Sequence, residues 1–134
     1  LDKKKEYIKY HGSIPYKDLH HIYKESHLGI FASSCENMPN ILIETMAAGL
    51  PIACSNRGPM PEVLGNSGLY FNPECSDEIF DALKSLITNP KLRDEKANAS
   101  FNSVQKYSWS ICTKETFSFL EYVISDYKKS LCVE

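Results

Sequence analysis

The segment that decides the fold is residues 28–55, with the sequence LGIFASSCENMPNILIETMAAGLPIACS. Its two ends, LGIFA and PIACS, are short apolar runs bounded by turn-forming residues, a pattern typical of strands buried on both faces. Between them, after a polar loop, a helix is predicted to begin at Pro39 or Asn40 and to end at Gly49. A strand, a helix and a strand in this order predict two parallel strands joined by a right-handed crossover.

The same pattern extends in both directions along the chain. Before this segment, the alternating residues 7–10 predict a strand that stops at Gly12, and Pro15 opens a helix. After it, residues 61–64 predict one helical turn and residues 69–71 a short strand. One face of the first helix carries Tyr16, Leu19, Ile22, Tyr23 and Ser26. Four strands alternating with helices predict an α/β fold with a parallel sheet, whose ligands bind at the carboxyl ends of the strands.

Helices are predicted for the rest of the chain. Ser76 is a candidate N-cap for an amphipathic helix, which Asn89 and Pro90 interrupt. A more polar helix follows, and Ser108 or Ser110 is expected to cap a last helix. The side of that last helix that is expected to be buried carries Trp109, Cys112, Phe117, Leu120, Val123, Ile124 and Tyr127.

Composition and charge exclude several classes of protein. The 134 residues are the length of one domain, and 15 basic against 17 acidic side chains leave a net charge of -2, which argues against a nucleic-acid partner. Neither a membrane-spanning stretch nor an export signal is visible in the sequence. Five irregularly spaced cysteines predict free thiols in a reducing compartment, with neither a disulfide framework nor a zinc site. Because the chain opens at Leu1 and not at Met, we expect it to be part of a longer protein.

Glu44 is the one charged residue between Pro39 and Asn56, and apolar residues surround it in the predicted helix. An unpaired carboxylate in such surroundings costs several kcal/mol or gives up its charge. Glu44 therefore either has a partner inside the protein or faces a cleft where a ligand supplies hydroxyl donors. A third interpretation, an acidic residue placed near the helix start by the helix dipole, stays open.

Glu36 lies in the loop that enters this helix, eight positions before Glu44. The free backbone N–H groups at a helix amino terminus form a site for an anion such as a phosphate. Carboxylates accept hydrogen bonds from vicinal hydroxyls. Two carboxylates beside a phosphate site predict a ligand that is both polyhydroxylated and phosphorylated, and a nucleotide sugar is such a ligand.

Residues 36–52, ENMPNILIETMAAGLPI, resemble the E-x7-E signature of group 1 retaining glycosyltransferases, which have the two-domain GT-B architecture. The resemblance continues in four further stretches, which are IKYHG at 8–12, PEVL at 61–64, GLYF at 68–71 and YSW at 107–109. It covers almost the whole chain. It implies an α/β, Rossmann-like half of a GT-B enzyme with carboxyl-terminal helices, in which residues 1–134 form a single, incomplete nucleotide-sugar-binding domain without the amino-terminal acceptor domain.

The resemblance also implies roles for particular residues. Glu44 matches the acid that holds the ribose hydroxyls of the donor, and Glu36 the catalytic acid that contacts sugar hydroxyls near the reacting carbon. The turn Ser13–Ile14 is expected to lie against the base. Backbone amides that would meet the sugar and the diphosphate belong to the segment around Met38, Asn40 and Ile41. Such enzymes are expected to need neither metal nor cofactor, because the helix dipole and basic side chains stabilise the leaving diphosphate.

The chain departs from the family pattern in two respects. Asn37 stands where the family usually has glycine after the first acid; asparagine tolerates the left-handed backbone that glycine provides, so we expect Asn37 to keep its place in the donor site. The basic pair that faces the diphosphate lies farther upstream in the family, and Lys3, Lys4 and Lys5 are expected to be a solvated run. The chain is therefore expected to need further parts for catalysis.

The resemblance predicts several partners and a location. The expected partners are a nucleotide-sugar donor, the amino-terminal domain, and an acceptor that is a sugar or a lipid-linked glycan. The expected location is cytoplasmic, including the cytoplasmic face of the membrane. The rival hypothesis is a non-catalytic Rossmann-like module for binding or regulation, since such sheets serve many functions. It predicts that Glu44 is buried against an internal donor, whereas a donor site predicts that Glu44 points into an open cleft beside Glu36.

Other chemistry-bearing side chains fit a site less well. His20 and His27 are seven residues apart, but they lack a metal-binding pattern and are expected on a solvated helix surface. Cys35 has no histidine placed by the sequence to activate it as a nucleophile. His11 follows a predicted strand near the proposed site, and Arg57 follows another, where it either approaches a phosphate or stabilises the turn.

Overall fold

The computed structural model describes residues 6–131, and the side chains as far as residue 129. A turn of 3-10 helix at Tyr16–Asp18 precedes the first α-helix, and a second one at Gly65–Ser67 precedes the last strand. The α-helices are α1 Leu19–Glu25, α2 Asn40–Ala47, α3 Met60–Leu64, α4 Ser76–Thr88, α5 Pro90–Val104 and α6 Trp109–Leu131. The strands are β1 Gly29–Phe31, β2 Ile52–Ser55 and β3 Gly68–Phe71.

The three strands form one parallel sheet in the order β1-β2-β3, as the segment at residues 28–55 predicts. Ile30 lies opposite Ala53, and Cys54 opposite Tyr70. All four residues of the central strand β2 are buried, which agrees with the continuous apolar run at Ile52–Cys54; the fourth residue, Ser55, is a buried polar residue. The predicted α/β fold with a parallel sheet is confirmed.

The core has two parts, one on each face of β2. Ile52 and Cys54 belong to a cluster that also contains residues of α2, α3 and α5. Ala53, which points to the opposite face, belongs to a second cluster with Phe71 of β3 and Leu86 of α4. Burial of Cys54 raises the pKa of its thiol to about 12, and the residue packs in the core as a small apolar side chain.

Helix α2 packs very close to β1, and a glycine makes this possible. A Cβ atom added to Gly29 would lie 2.5 Å from Cγ2 of Thr45. The Thr45 hydroxyl donates a hydrogen bond to the Ile41 carbonyl at 2.7 Å, which satisfies the polar atom within the helix. The methyl group of Thr45 is therefore the part of the side chain that contacts Gly29. This contact sets the distance between the sheet and α2, the helix that carries Glu44.

The prediction of a strand at residues 7–10 is wrong. The structure gives this segment no strand, and Tyr7 and Tyr10 are exposed. Alternating side chains show that a segment is able to form a strand, but the strand also needs a neighbour that pairs its backbone groups. Among the described strands, β1 pairs with β2 and with no other. The run at residues 3–5 and Cys132 lie outside the described residues.

The buried side predicted for the last helix is also wrong. Trp109, Phe117 and Ile124 are exposed, and Trp109 retains 86% of its accessible surface. The apolar stripe exists in the sequence, but the described elements pack around β2 and do not extend over α6. A periodic pattern identifies which side of a helix is apolar. It does not show whether another helix or strand of the chain packs against that side.

Two further predictions about helices need correction. The apolar surroundings of Glu44 in the sequence favoured a helix α2 buried on nearly all sides, but although Leu42 and Met46 are fully buried, Ile41 is 61% exposed and Ala47 is exposed. Ser76 is the first residue of α4 and not its cap, because Cys75 is the N-cap.

The predicted starts of α5 and α6 are confirmed. Asn89 precedes α5, and its side-chain oxygen accepts from the Leu92 amide at 3.1 Å. Of the two serines proposed to cap the last helix, Ser108 does so, since its hydroxyl accepts from the Ile111 amide at 3.1 Å. At both helix starts, the polar residue that the sequence proposed as the cap accepts a hydrogen bond from a backbone amide in the first turn.

Candidate functional site

Glu44 is the fifth residue of α2 and is half-buried. Its Oε2 atom accepts a hydrogen bond of 3.0 Å from the phenol hydroxyl of Tyr23 in α1. This partner is a neutral hydroxyl group and not an arginine or lysine, so the hydrogen bond does not itself neutralise the negative charge of the carboxylate. Glu44 thus has an internal partner and still retains its capacity to accept hydrogen bonds from a ligand.

Glu44 also faces open space on two sides of α2. The first space, which we call the α1–α2 groove, has a volume of about 560 Å³ and is lined by Tyr16, Tyr23, Lys24, Glu44 and other residues of α1 and α2. The second, the α2–α6 groove, has a volume of about 570 Å³ and lies between α2 and residues 106–115. Glu44 and Tyr16 line both grooves. Glu44 therefore combines the feature expected of a donor site, an open cleft, with the feature expected of a structural acid, an internal hydrogen-bond donor.

The α2–α6 groove combines aromatic and charged side chains. Its lining includes the carboxylates of Glu44 and Glu115, the ammonium group of Lys106, and the rings of Tyr107 and Trp109. The Lys106 Nζ atom lies 5.0 Å from the centroid of the Tyr107 ring, within the range of a cation–π contact. The groove therefore offers ring faces and one basic group beside a carboxylate, a combination suited to a polar ligand that carries a planar base.

Tyr23 is a fixed hydrogen-bond donor at this site. Burial of the phenol, and secondarily its hydrogen bond to Glu44, raises the pKa of Tyr23 from 10.0 to about 12. At neutral pH the phenol is protonated, and its hydroxyl donates a hydrogen bond to the Glu44 carboxylate. The sequence placed Tyr23 on the inner face of the first helix but did not identify its partner. A buried tyrosine hydroxyl needs a polar partner, which is the signal that points toward Glu44.

Glu36 lies in the loop after β1 and is half-buried. The next loop along the sheet lies beside it, because a Cβ atom added to Gly58 would be 3.8 Å from the Glu36 carbonyl oxygen. Gly58 has φ +51, a conformation that favours glycine. The loops after β1 and β2 therefore meet at the carboxyl edge of the sheet. Glu36 and Asn37 line neither of the two grooves beside Glu44.

The segment at the start of α2 lies partly in the α2–α6 groove. Met38 and Asn40 line that groove together with Glu44, whereas Ile41 points to solvent. Pro39 is the N-cap and provides no side-chain hydrogen bond, so the first turn of α2 is uncapped by a side chain. The Asn40 amide donates to the Met38 carbonyl at 2.9 Å, and this amide is therefore already engaged.

The turn before α1 contributes a different residue from those expected. Ser13 is exposed and Ile14 is half-buried, and neither lines the two grooves. Tyr16, two positions after Ile14, lines both of them. The sequence placed Tyr16 on one helix face with Leu19 and Tyr23 because of its spacing; it lies in the 3-10 turn before α1, and its ring is exposed.

The other candidates occupy positions with local roles. One guanidinium nitrogen of Arg57 donates to the Asn72 side-chain oxygen at 3.3 Å, so Arg57 joins the loops after β2 and β3. The rings of His20 and His21 stack at 3.9 Å on α1. His11 and Cys35 are exposed. Across residues 6–131, histidine, cysteine and acidic side chains do not converge in groups of three or more.

The fold and this site define a class: a Rossmann-like α/β domain with a carboxylate in a cleft beside its parallel sheet. Residues 3–102 match the sequence profile of the family described as Glycosyl transferases group 1. The chain therefore belongs to the group 1 glycosyltransferase family.

Several curated proteins are similar to the chain. The O-antigen chain mannosyltransferase B of Escherichia coli is 28% identical over 112 residues, which are 84% of this chain and 29% of that protein. A probable sucrose-phosphate synthase of Thermosipho melanesiensis is 35% identical, covering 78% of this chain and 25% of that protein. The phosphatidyl-myo-inositol mannosyltransferase of Mycobacterium leprae is 30% identical, covering 70% of this chain and 26% of that protein. The chain thus spans less than a third of the length of these relatives.

A solved structure has the same fold. The sucrose-phosphate synthase of Thermosynechococcus elongatus superposes with a TM-score of 0.79 at 18% identity, covering 88% of this chain and 30% of that one. The predicted architecture, a Rossmann-like half of a GT-B glycosyltransferase, is confirmed. None of the helices formed by residues 6–131 combines the length and the apolar character needed to cross a bilayer.

Proposed function

We propose that this chain is the donor-binding part of a retaining glycosyltransferase, which moves a sugar from a nucleoside-diphosphate sugar to an acceptor. The observation that carries the proposal is the position of Glu44, a half-buried carboxylate that opens on two grooves and has a neutral phenol as its partner. Membership of the group 1 family supports sugar transfer as the reaction class.

In this proposal the two acids bind different parts of the donor. Glu44 accepts hydrogen bonds from the ribose hydroxyls, because its carboxylate has free acceptor capacity on the groove side. Glu36 contacts hydroxyls of the transferred sugar near the reacting carbon. The loop that contains Glu36 lies at the carboxyl edge of the sheet, where parallel α/β sheets bind their ligands.

The start of α2 is proposed to hold the diphosphate and the sugar. Its positive dipole end and the backbone amides of Met38 and Ile41 stabilise negative charge without a metal or cofactor, and Asn40, whose amide is engaged by the Met38 carbonyl, contributes its side chain in the α2–α6 groove. Asn37 is part of this loop, and the turn Ser13–Ile14 lies against the base. The bond between the anomeric carbon and the diphosphate oxygen breaks. A bond to an acceptor hydroxyl oxygen forms on the same face, and the hydroxyl proton is released.

The rest of the machinery is proposed to lie outside these 134 residues. The curated relatives named above are at least three times longer than the matched region, which supports a separate amino-terminal acceptor domain. The proposed acceptor is a sugar or a lipid-linked glycan. The proposed location is the cytoplasm or the cytoplasmic face of the membrane, and the free thiols of Cys35, Cys54, Cys75 and Cys112 support a reducing compartment.

Calorimetric titration of the chain with UDP, GDP and ADP tests the proposal. One of the three is expected to bind weakly, and Glu44→Ala is expected to weaken that binding about tenfold or more, the size of a lost charge-assisted hydrogen bond. Glu95→Ala is the matched control, because Glu95 is an exposed acid on α5 outside both grooves. It is expected to leave the affinity unchanged.

The rival hypothesis of a non-catalytic module makes the opposite prediction. If none of the three nucleotides binds at millimolar concentration and Glu44→Ala alters only the free energy of unfolding, the donor-site assignment is rejected. In that case the hydrogen bond from Tyr23 to Glu44 is solely a link between α1 and α2.

A further inference from the structure

The hydrogen bond between Tyr23 and Glu44 joins two helices that are far apart in the chain. The donor and the acceptor are 21 residues apart, and both side chains are half-buried. Tyr23 lines the α1–α2 groove together with Glu44, whereas the second groove is lined by Glu44 without Tyr23. The phenol therefore holds the carboxylate through Oε2, and Glu44 also borders the α2–α6 groove, which Tyr23 does not line.

This contact reduces the freedom of a flexible side chain. A glutamate loses rotamer entropy when a ligand fixes it, and that loss weakens binding. Tyr23 has a stiff ring and a hydroxyl that stays protonated, since burial raises its pKa to about 12. The hydrogen bond uses one of about four acceptor positions on the carboxylate, so both oxygens still accept from a pair of neighbouring hydroxyls.

We propose that Tyr23 is a positioning residue, which orients the Glu44 carboxylate for the two ribose hydroxyls of the donor and so favours ribonucleotides. The inference rests on the proposed function, because it requires that Glu44 bind the ribose. Tyr23 itself acts through Glu44 and makes no contact with the ligand in this proposal.

The test compares each nucleoside diphosphate with its 2′,3′-dideoxy form, which lacks both ribose hydroxyls. Calorimetry is performed on the wild type, Tyr23→Phe, Glu44→Ala and the double variant, with UDP, GDP and ADP as probes. Tyr23→Phe is expected to weaken binding of the ribonucleotide about three- to tenfold and to leave the dideoxy form unchanged. In the Glu44→Ala background, Tyr23→Phe is expected to have no further effect.

Tyr70→Phe is the matched control. The Tyr70 hydroxyl donates to the Gly65 carbonyl at 2.6 Å, and burial likewise raises the Tyr70 pKa to about 12. Tyr70 lines neither groove beside Glu44. Its replacement removes a comparable phenol hydrogen bond and is expected to lower stability without changing either nucleotide affinity.

The outcomes separate the two proposals. If a ribonucleotide binds and Glu44→Ala weakens it, but Tyr23→Phe does not, the role of Tyr23 is rejected and the donor site stands. If Tyr23→Phe weakens the ribonucleotide and the dideoxy form equally, Tyr23 has only a structural role, and the inference is again rejected. If no ribonucleotide binds to the wild type, both proposals are rejected.

Discussion

At the scale of single residues, Glu44 shows how a charged side chain is accommodated in a helix with few polar positions. Burying a carboxylate without a partner is costly, and an ion pair would have neutralised its charge. The phenol of Tyr23 satisfies one acceptor position and leaves the charge intact. The arrangement keeps an anionic group available beside a groove, which a salt bridge to lysine or arginine would not do.

The raised pKa of Tyr23 makes stability depend on alkaline pH. The unfolded chain loses the phenol proton near pH 10, whereas the folded chain keeps it to about pH 12. The folded state binds more protons in this window, so the free energy of unfolding should fall as the pH rises from 10 to 12. Tyr23→Phe is expected to make the decline shallower in urea unfolding at pH 8, 10 and 11. An unchanged slope would contradict the assignment, and Tyr70→Phe should give a similar change.

Some residue positions at the site were predictable from the sequence and others were not. Glu44 was predictable as an unusual residue, because its apolar neighbours can be read directly from the sequence. Its contact with Tyr23 depends on how α1 crosses α2, which no local pattern specifies. For the same reason, the sequence did not indicate that Lys106 and Trp109 share a groove with Glu44.

At the scale of elements, the distance between α2 and β1 depends on the small size of Gly29. Replacement of Gly29 by alanine would bring the new Cβ within 2.5 Å of the Thr45 methyl group. Either the helix then moves from the sheet or Thr45 rotates and loses its hydrogen bond to Ile41, at an expected loss of about 1–3 kcal/mol in the free energy of unfolding. Urea unfolding of Gly29→Ala measures this loss.

A second substitution provides the control for the Gly29 prediction. Thr45→Ser removes the methyl group and retains the hydroxyl that bonds to the Ile41 carbonyl. The double variant is expected to regain most of the stability that Gly29→Ala loses, since the clash is gone. A double variant no more stable than Gly29→Ala would show that the methyl group is not the source of the loss.

The elements themselves were largely predictable where a local signal was strong. The parallel strands β1 and β2 follow from two apolar runs around a helix, and Asn89–Pro90 correctly separates α4 from α5. The strand expected at residues 7–10 is not formed, because alternation reflects side-chain propensity alone, and tertiary context overrides propensity. Propensity and pairing are separate requirements.

At the scale of the whole molecule, the core around β2 and the long helix α6 contribute very differently to stability. Leu86 is fully buried, and Leu86→Ala is expected to lower the free energy of unfolding by about 2–5 kcal/mol. Ile124 in α6 is 55% exposed, and Ile124→Ala is expected to change the free energy of unfolding by no more than about 0.5 kcal/mol. Urea unfolding of both variants measures the difference. Equal losses would show that the apolar side of α6 is covered in solution.

The central strand has a consequence for how the protein unfolds. Ile52 and Cys54 of β2 pack in one of the two core clusters, and Ala53 packs in the other. This short strand is therefore part of both halves of the core. Neither half can open without uncovering the backbone that the other half protects. We therefore expect a single cooperative melting event for the region around the sheet, with the amide hydrogens of β2 the slowest to exchange with deuterium. Fast exchange there, ahead of the flanking helices, would mean that the two halves separate independently.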